Sequence, residues 1–179
     1  NLRTQHRIAE VLRQHRVTVL QGGATGLAEG VVQLGCGATL ACDVPLIAVG
    51  AQAPLWLQDS GLALDAHGFV AVDACLRSIS HPEVLATGDI SSRTDQAVAR
   101  SGVYAMRAGG ALVRNLVAIT QNQAPAPHLP PSRSLSLLGC GNGQAILNWG
   151  NWSARGRWVG WLKSALDRRL VSRFAAPKR

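Results

Sequence analysis

The stretch that decides the fold reads Gly61-Leu62, Asp65-Ala-His-Gly-Phe-Val-Ala-Val-Asp73, Leu76-Arg-Ser78 and His81-Pro-Glu-Val-Leu-Ala-Thr-Gly-Asp89, after Leu46-Ile-Ala-Val-Gly50. Short apolar runs that stop at turn residues read as buried strands. Val44–Val49 is one such run and ends at Gly50. Gly61–Val72 reads as a loop entering a strand, with Asp65-Ala-His-Gly68 as its turn, and Leu76–Ser78 is a candidate to pair with it. Val84–Thr87 is a further buried strand, ending at Gly88-Asp89. A Gly-Asp at a strand's C-terminal end sets a bare backbone and a carboxylate at the sheet edge, where α/β folds place ligand crevices. Each fragment is common alone, and the order and spacing carry the information.

Outward from this stretch, the pattern from Gln96 to about Ile119 is helical. Gly102, Gly109 and Gly110 sit inside it, which points to close packing, since glycine costs a helix ~1 kcal/mol. Upstream, residues 1–15 read as an amphipathic helix and Val17–Leu20 as a short strand. Segments near Leu27–Leu34 and Ala38–Ala41 follow, broken by Gly35-Cys36-Gly37. Downstream, 121–134 is a Pro-rich connector. Ser134–Gly139 and Gln144–Trp149 form a hairpin around Gly141-Asn142-Gly143. The segment from about Ala154 to Phe174 reads as a basic helix.

The chain has 179 residues, enough for one ordinary domain or two small ones, and carries a net charge of +8. At 47% hydrophobic and 16% charged it is neither disordered nor fibrous. Residues 1–150 hold ten arginines against nine acids, whereas 151–179 hold eight cations against Asp167 alone. The basic character is therefore a property of the tail, and no nucleic-acid partner is expected of the body. No apolar run reaches the ~18–20 residues that span a bilayer, and no signal-peptide core is visible. The first residue is Asn1, which suggests a processed chain or a fragment. Cys36, Cys42, Cys75 and Cys140 form no C-x-x-C, so reduced, buried thiols are expected. The five histidines lack metal-ligand spacing, so no metal site is expected. No Gly-x-Ser-x-Gly element is present.

Taken together, the segments from Leu46 to Asp89 resemble the second half of FAD-dependent pyridine nucleotide-disulfide oxidoreductases, on the type II NADH dehydrogenase side of that family. Ala86-Thr-Gly-Asp-Ile-Ser-Ser-Arg-Thr-Asp95, followed by Ala99-Arg-Ser-Gly-Val-Tyr-Ala-Met-Arg-Ala-Gly109, is similar to the branch fused to, or encoded beside, selenide, water dikinase. The resemblance runs from about Arg7 to Phe174.

It implies an α/β fold, a partial FAD/NAD(P)-binding pair of dinucleotide domains with a small α+β C-terminal domain. The implied division is 1–49 for the end of the NAD(P) domain and 50–120 for the closing part of the FAD domain. Residues 121–134 would be the connector and 135–179 the C-terminal hairpin and helix. The implied activity is hydride transfer from NAD(P)H to FAD and onward to a quinone or a selenium or sulfur acceptor. The implied flavin contacts are Gly88, Asp89, Gln96 and Ala97, with Gly50 at the domain crossing beside Pro54. A helix opening near Gln96-Ala97 would turn its positive end to the flavin. Val49 stands where the family's crossing motif usually has Thr.

Family features are also missing. No G-x-G-x-x-G follows a strand, and Gly22-Gly-Ala-Thr-Gly26 and Gly139-Cys-Gly-Asn-Gly143 read as turns. The acid–base element of the disulfide-reductase branch is absent as well. The expected partner is therefore the upstream half of the same protein, and the chain alone is expected to bind FAD poorly. Cys140 is a structural thiol or one that approaches the flavin in the complete protein. The C-terminal helix has three open roles: docking through its tryptophans, resting on a membrane surface, or meeting a partner or fused kinase domain. The location implied is cytoplasmic, with peripheral contact at the inner face of the membrane left open. The competing readings are a non-catalytic remnant or regulatory module, or a basic adaptor acting through 154–179.

Overall fold

The computed structural model describes residues 1–174, which form two compact units. One comprises Asn1–Ile47 with the chain from Arg133 onward, and the other Ala48–Ser132.

In the central unit the core gathers Leu57, Val70 and Val72, with Leu62, Leu64, Ala86 and Ile90 against them. Leu57 comes from a single 3₁₀ turn, Leu55–Asp59. Val70–Val72 runs parallel to Ser91–Arg93, pairing Val70 with Ser91 and Val72 with Arg93. Two turns of one design bracket Val70–Val72. Asp65 Oδ1 accepts from the N–H of His67 and Phe69 at 2.9 and 3.0 Å, and Asp73 Oδ1 accepts from Cys75 and Arg77 at 2.8 and 2.9 Å. The fourth residue of each turn lies in the left-handed region, Gly68 at φ 83° and Leu76 at φ 69°. Leucine is rare there, but Leu76 is buried, and the Asp73 bonds hold the turn closed. Val72 bridges Ser78 in antiparallel fashion, so Leu76–Ser78 does return along the strand.

A long helix, α2, Gly102–Thr120, packs Ala108, Ala111 and Asn115 inward. Its glycines do not follow the sequence reading. A Cβ on Gly102 or Gly109 would meet nothing within 4 Å, because the buried stripe passes through 108, 111 and 115 instead. The Pro-rich connector is irregular but pinned. The Asn115 amide donates to the carbonyls of Cys75 and Ala126, and its Oδ1 accepts from Ala126 N–H at 2.9 Å. The Tyr104 hydroxyl donates to the Pro131 carbonyl.

The other unit begins with the helix α1, Leu2–Gln14, capped by the Asn1 side chain on the Arg3 N–H. An antiparallel meander follows, Ala24–Ala28, Val31–Leu34 and Thr39–Ala41. The break at Gly35-Cys36-Gly37 is where the sequence placed it, and a second one at Glu29-Gly30 divides the expected Leu27–Leu34 segment. The C-terminal part is a meander of Leu135–Gly139, Ala145–Trp149 and Trp152–Gly156, followed by the helix α3, Arg157–Phe174. The third strand was absent from the sequence reading, which started its helix at Ala154. Ala145, Leu147 and Val159 form the core here, with Leu162 packed on them. The helix therefore docks through Val159 and Leu162, while Trp158 and Trp161 stay exposed, against the expected docking by tryptophan. Lys178 and Arg179, counted with the basic tail, lie outside the described residues.

Three expected strands are not strands. Val17–Leu20 and Val44–Val49 are irregular and exposed, Leu46 at 94%. Nothing among the described residues offers either run a ladder, and an extended segment without neighbours cannot satisfy its backbone as sheet. Val84–Thr87 is half-buried and makes one bridge, Leu85 with Arg77. No helix of the described residues is long and apolar enough to cross a membrane.

Candidate functional site

The residues that the sequence singled out converge in the central unit. Gly88, Asp89, Gln96 and Ala97 all line one cavity of about 210 Å³. Gly50, the fifth, does not line it. Its φ of 87° favours a residue without Cβ, but no atom approaches it, and it lies in irregular chain.

Gly88 has a structural reason to be glycine. Its φ is 76°, and a Cβ there would meet the Ala105 Cβ at 3.4 Å. The segment Gly88–Ile90 is one 3₁₀ turn, tied back by Ser91 Oγ donating to the Gly88 carbonyl at 3.0 Å. Asp89 is exposed at its tip. Small residues, Gly88, Ala105 and Ala108, thus form one wall and leave the space open.

The helix does not open at Gln96-Ala97. It starts at Gly102, with Ser101 extended at the N-cap, and Gln96 and Ala97 lie in the loop before it. Arg93 braces the start of that loop. Its side chain is 5% exposed and forks onto Asp95, with both contacts at 2.7 Å, and its Nη1 donates to the His128 carbonyl at 2.9 Å. The chain bends beside this fork, at 94–96. The Arg93 contact also holds the Asp95 carboxyl below the usual carboxylate range.

Arg100 was missed by the sequence reading. It lies on the Phe69 ring at 3.6 Å and 3.6 Å from Asp65 Oδ2. Burial pushes the Asp65 carboxyl up. The Phe69 N–H, the Ser92 hydroxyl, the His67 N–H and Arg100 outweigh that and hold it below the usual range. His128 closes another part of the wall. Burial, then Arg93 and Arg114, push its imidazole below the usual histidine range, so it is neutral at pH 7. Asp65, Arg100 and His128 are separated by up to 63 positions in the chain. No local motif joins them, although Asp65-Ala-His-Gly was legible as a turn.

None of the four cysteines lines the cavity. Only Cys140 is buried, and Cys36 is exposed, so the expectation of four buried thiols fails. Among the described residues, no cluster of three His, Cys, Asp or Glu side chains could hold a metal ion. The cavity has polar groups fixed by hydrogen bonds and ion pairs, among them Asp65 with Ser92 and Arg100.

α/β folds place ligand crevices at strand ends, and the cavity here lies beside the end of a two-stranded parallel pair. The family model described as pyridine nucleotide-disulphide oxidoreductase matches residues 2–109, and the chain belongs to that family of oxidoreductases. Among solved structures, Fdr9 is 25% identical and aligns over 80% of this chain and 42% of its own, with a TM-score of 0.56. Reduced CoADR-RHD of Bacillus anthracis is 21% identical over 80% of this chain and 26% of its own, with a TM-score of 0.59. A ferredoxin reductase of Rhodopseudomonas palustris is 16% identical over 80% and 43%, with a TM-score of 0.52. The last two likenesses concern the fold alone. The chain spans less than half the length of each of these structures. A comparison with curated proteins gives no significant match.

Proposed function

We propose that this chain is the C-terminal portion of an FAD-dependent NAD(P)H oxidoreductase, with the cavity at Gly88-Asp89 receiving part of the flavin cofactor. The single observation that carries this is the convergence of Gly88, Asp89, Gln96 and Ala97 on one cavity in a member of this family.

The residues present fit such a group. Gly88, Ala105 and Ala108 line the cavity with small side chains beside the Gly88–Ile90 turn. Asp89 offers a carboxylate to a ribityl hydroxyl, which it would accept from. The Ser101 side chain does not cap the helix, and the backbone N–H groups of its first turn would be available to an electron-rich group held in the cavity. The volume, about 210 Å³, is below the ~300–1,000 Å³ of complete ligand sites. Only part of the cofactor is accommodated here, and the phosphate-binding turns come from elsewhere in the protein. When bound, the flavin supplies the hydride and electron chemistry. The residues of this chain orient it, and Arg100 and Arg93 set the local charge.

The exposed apolar runs support a missing upstream partner. Val17–Leu20 and Val44–Val49 have the composition of strands buried on both faces of a parallel sheet, but they lie open. The upstream half of the same protein is the partner that would cover them. The resemblance at Ala86–Asp95 and Ala99–Gly109 favours the selenide, water dikinase-associated branch near type II NADH dehydrogenases. A selenium or sulfur compound, or a quinone, is then the acceptor class.

The test is an absorbance spectrum of the protein with its upstream sequence, followed by NADH. Flavin bands that bleach, and a flavin content reduced at least tenfold by Asp89→Ala, are expected. A colourless protein that FAD cannot reconstitute overturns the reading in favour of a non-catalytic remnant. The 179-residue chain alone is expected to lose any flavin on desalting.

A further inference from the structure

In the other unit, the turn between Leu135–Gly139 and Ala145–Trp149 lies directly on α3. A Cβ on Gly160 would stand 2.1 Å from the Gly143 carbonyl oxygen, so only glycine permits this approach. Beside that contact runs an open groove of about 720 Å³.

The side chains lining the groove are one-sided in their chemistry. Arg157, Trp161, Ser164 and Arg168 recur at helical spacing along one face of α3, and Lys163 joins them. Gln144 lines the opposite side. Its Oε1 accepts from Arg155 Nε at 3.1 Å, which leaves its NH₂ as a donor. No acidic side chain lines the groove, and Asp167 beside it is paired with Lys163. The polar lining is thus donor-rich and carries three cations. Trp158 and Trp161 are 54% and 70% exposed, as open as the other tryptophans of the chain, and both line this groove.

A ligand that suits both features carries an anionic group and a flat ring. We propose that this groove binds a nucleoside phosphate, with its base on Trp161 and its phosphates on Ser164 and Arg168, one turn apart on the same face, while Arg157 adds positive charge at the other end. Guanidinium groups match phosphate oxygens, and bases stack on tryptophan faces whatever their identity. The proposal is independent of the flavin reading, which concerns a different unit.

The experiment titrates the full chain with ADP at low salt and follows tryptophan fluorescence. Saturable quenching is expected, weakened at least tenfold by Arg157→Gln with Arg168→Gln and by Trp161→Ala. Trp161→Phe restores most of the affinity, and Asp89→Asn in the other cavity leaves it unchanged. Circular dichroism of each variant separates lost binding from lost folding. Four outcomes overturn the proposal: no saturable quenching; ADP affinity that survives the double Arg substitution; adenosine or inorganic phosphate binding as tightly as ADP; or ADP binding lost on Asp89→Asn instead. Capture by anionic phosphatidylglycerol vesicles without ADP binding overturns it in favour of a membrane surface.

Discussion

The two units use polar residues in opposite ways. Ala48–Ser132 holds five cations and six acids, and most of them are engaged: Asp65 and Asp73 close turns, and Arg93 forks onto Asp95. The other unit carries most of the positive charge, and much of it is spread along α3 with Asp167 as its single acid. In the central unit charge is spent on shape, because buried polar groups must be paired. In the other unit Arg155 is paired with Glu10 and Gln144 and Lys163 with Asp167, while Arg157 and Arg168 line an open groove. The difference separates a site built by internal hydrogen bonds from one built by a helix face.

The largest expected effect tests how the basic unit holds together. Gly160→Ala drives a Cβ into the Gly143 backbone, which cannot rotate away. Destabilisation of about 2–3 kcal/mol is expected from such overpacking, read by urea denaturation. A loss under ~0.5 kcal/mol would mean the turn does not rest on α3.

Asn115→Ala is the counterpart in the central unit. It removes three hydrogen bonds from a side chain 2% exposed and frees the 121–132 segment. A loss of about 2–3 kcal/mol is expected, since the orphaned backbone groups become unsatisfied. Proteolysis within the Pro-rich segment should rise in parallel. An unchanged digestion pattern would break the view that this segment is pinned.

The third test uses pH. The Asp65 carboxyl is lowered in the folded state, so its contribution is present above its unfolded value near 3.8 and lost as pH falls through the folded one. His128 is lowered as well, from 6.5. Its neutral form is favoured by folding, so stability falls as pH drops below about 6.5, where the unfolded chain binds the extra proton. His128→Gln should flatten the dependence just below neutrality, and Asp65→Asn the acid limb. A stability profile that keeps both slopes in the double variant would show that other groups carry them.

The smallest effect concerns Ser153. Its Oγ is buried without a partner. Ser153→Ala should be neutral or stabilising by up to about 1 kcal/mol, measured by thermal melting. A clear destabilisation would reveal a bond that the hydroxyl makes in solution.

The sequence by itself determined the family, from the ordered segments between Leu46 and Asp89, and it determined the turns at Asp65–Gly68 and Gly35–Gly37. Those depend on local chemistry, a short carboxylate reaching its own backbone or a glycine free of Cβ, which residue types alone specify. It also brought Gly88, Asp89, Gln96 and Ala97 to one place, because they lie within ten residues of each other. It misjudged Val17–Leu20, Val44–Val49 and the helix start at Gly102. Strand formation needs a neighbouring ladder, and the loop before the helix is braced by Arg93 meeting Asp95 and the distant His128 carbonyl. Tertiary structure alone decided that Arg100 lies on Phe69, that Asn115 pins the connector, and that Gly160 admits the Gly143 turn onto α3. Each of these joins residues far apart in sequence, and their energy comes from a spatial approach that no local pattern encodes.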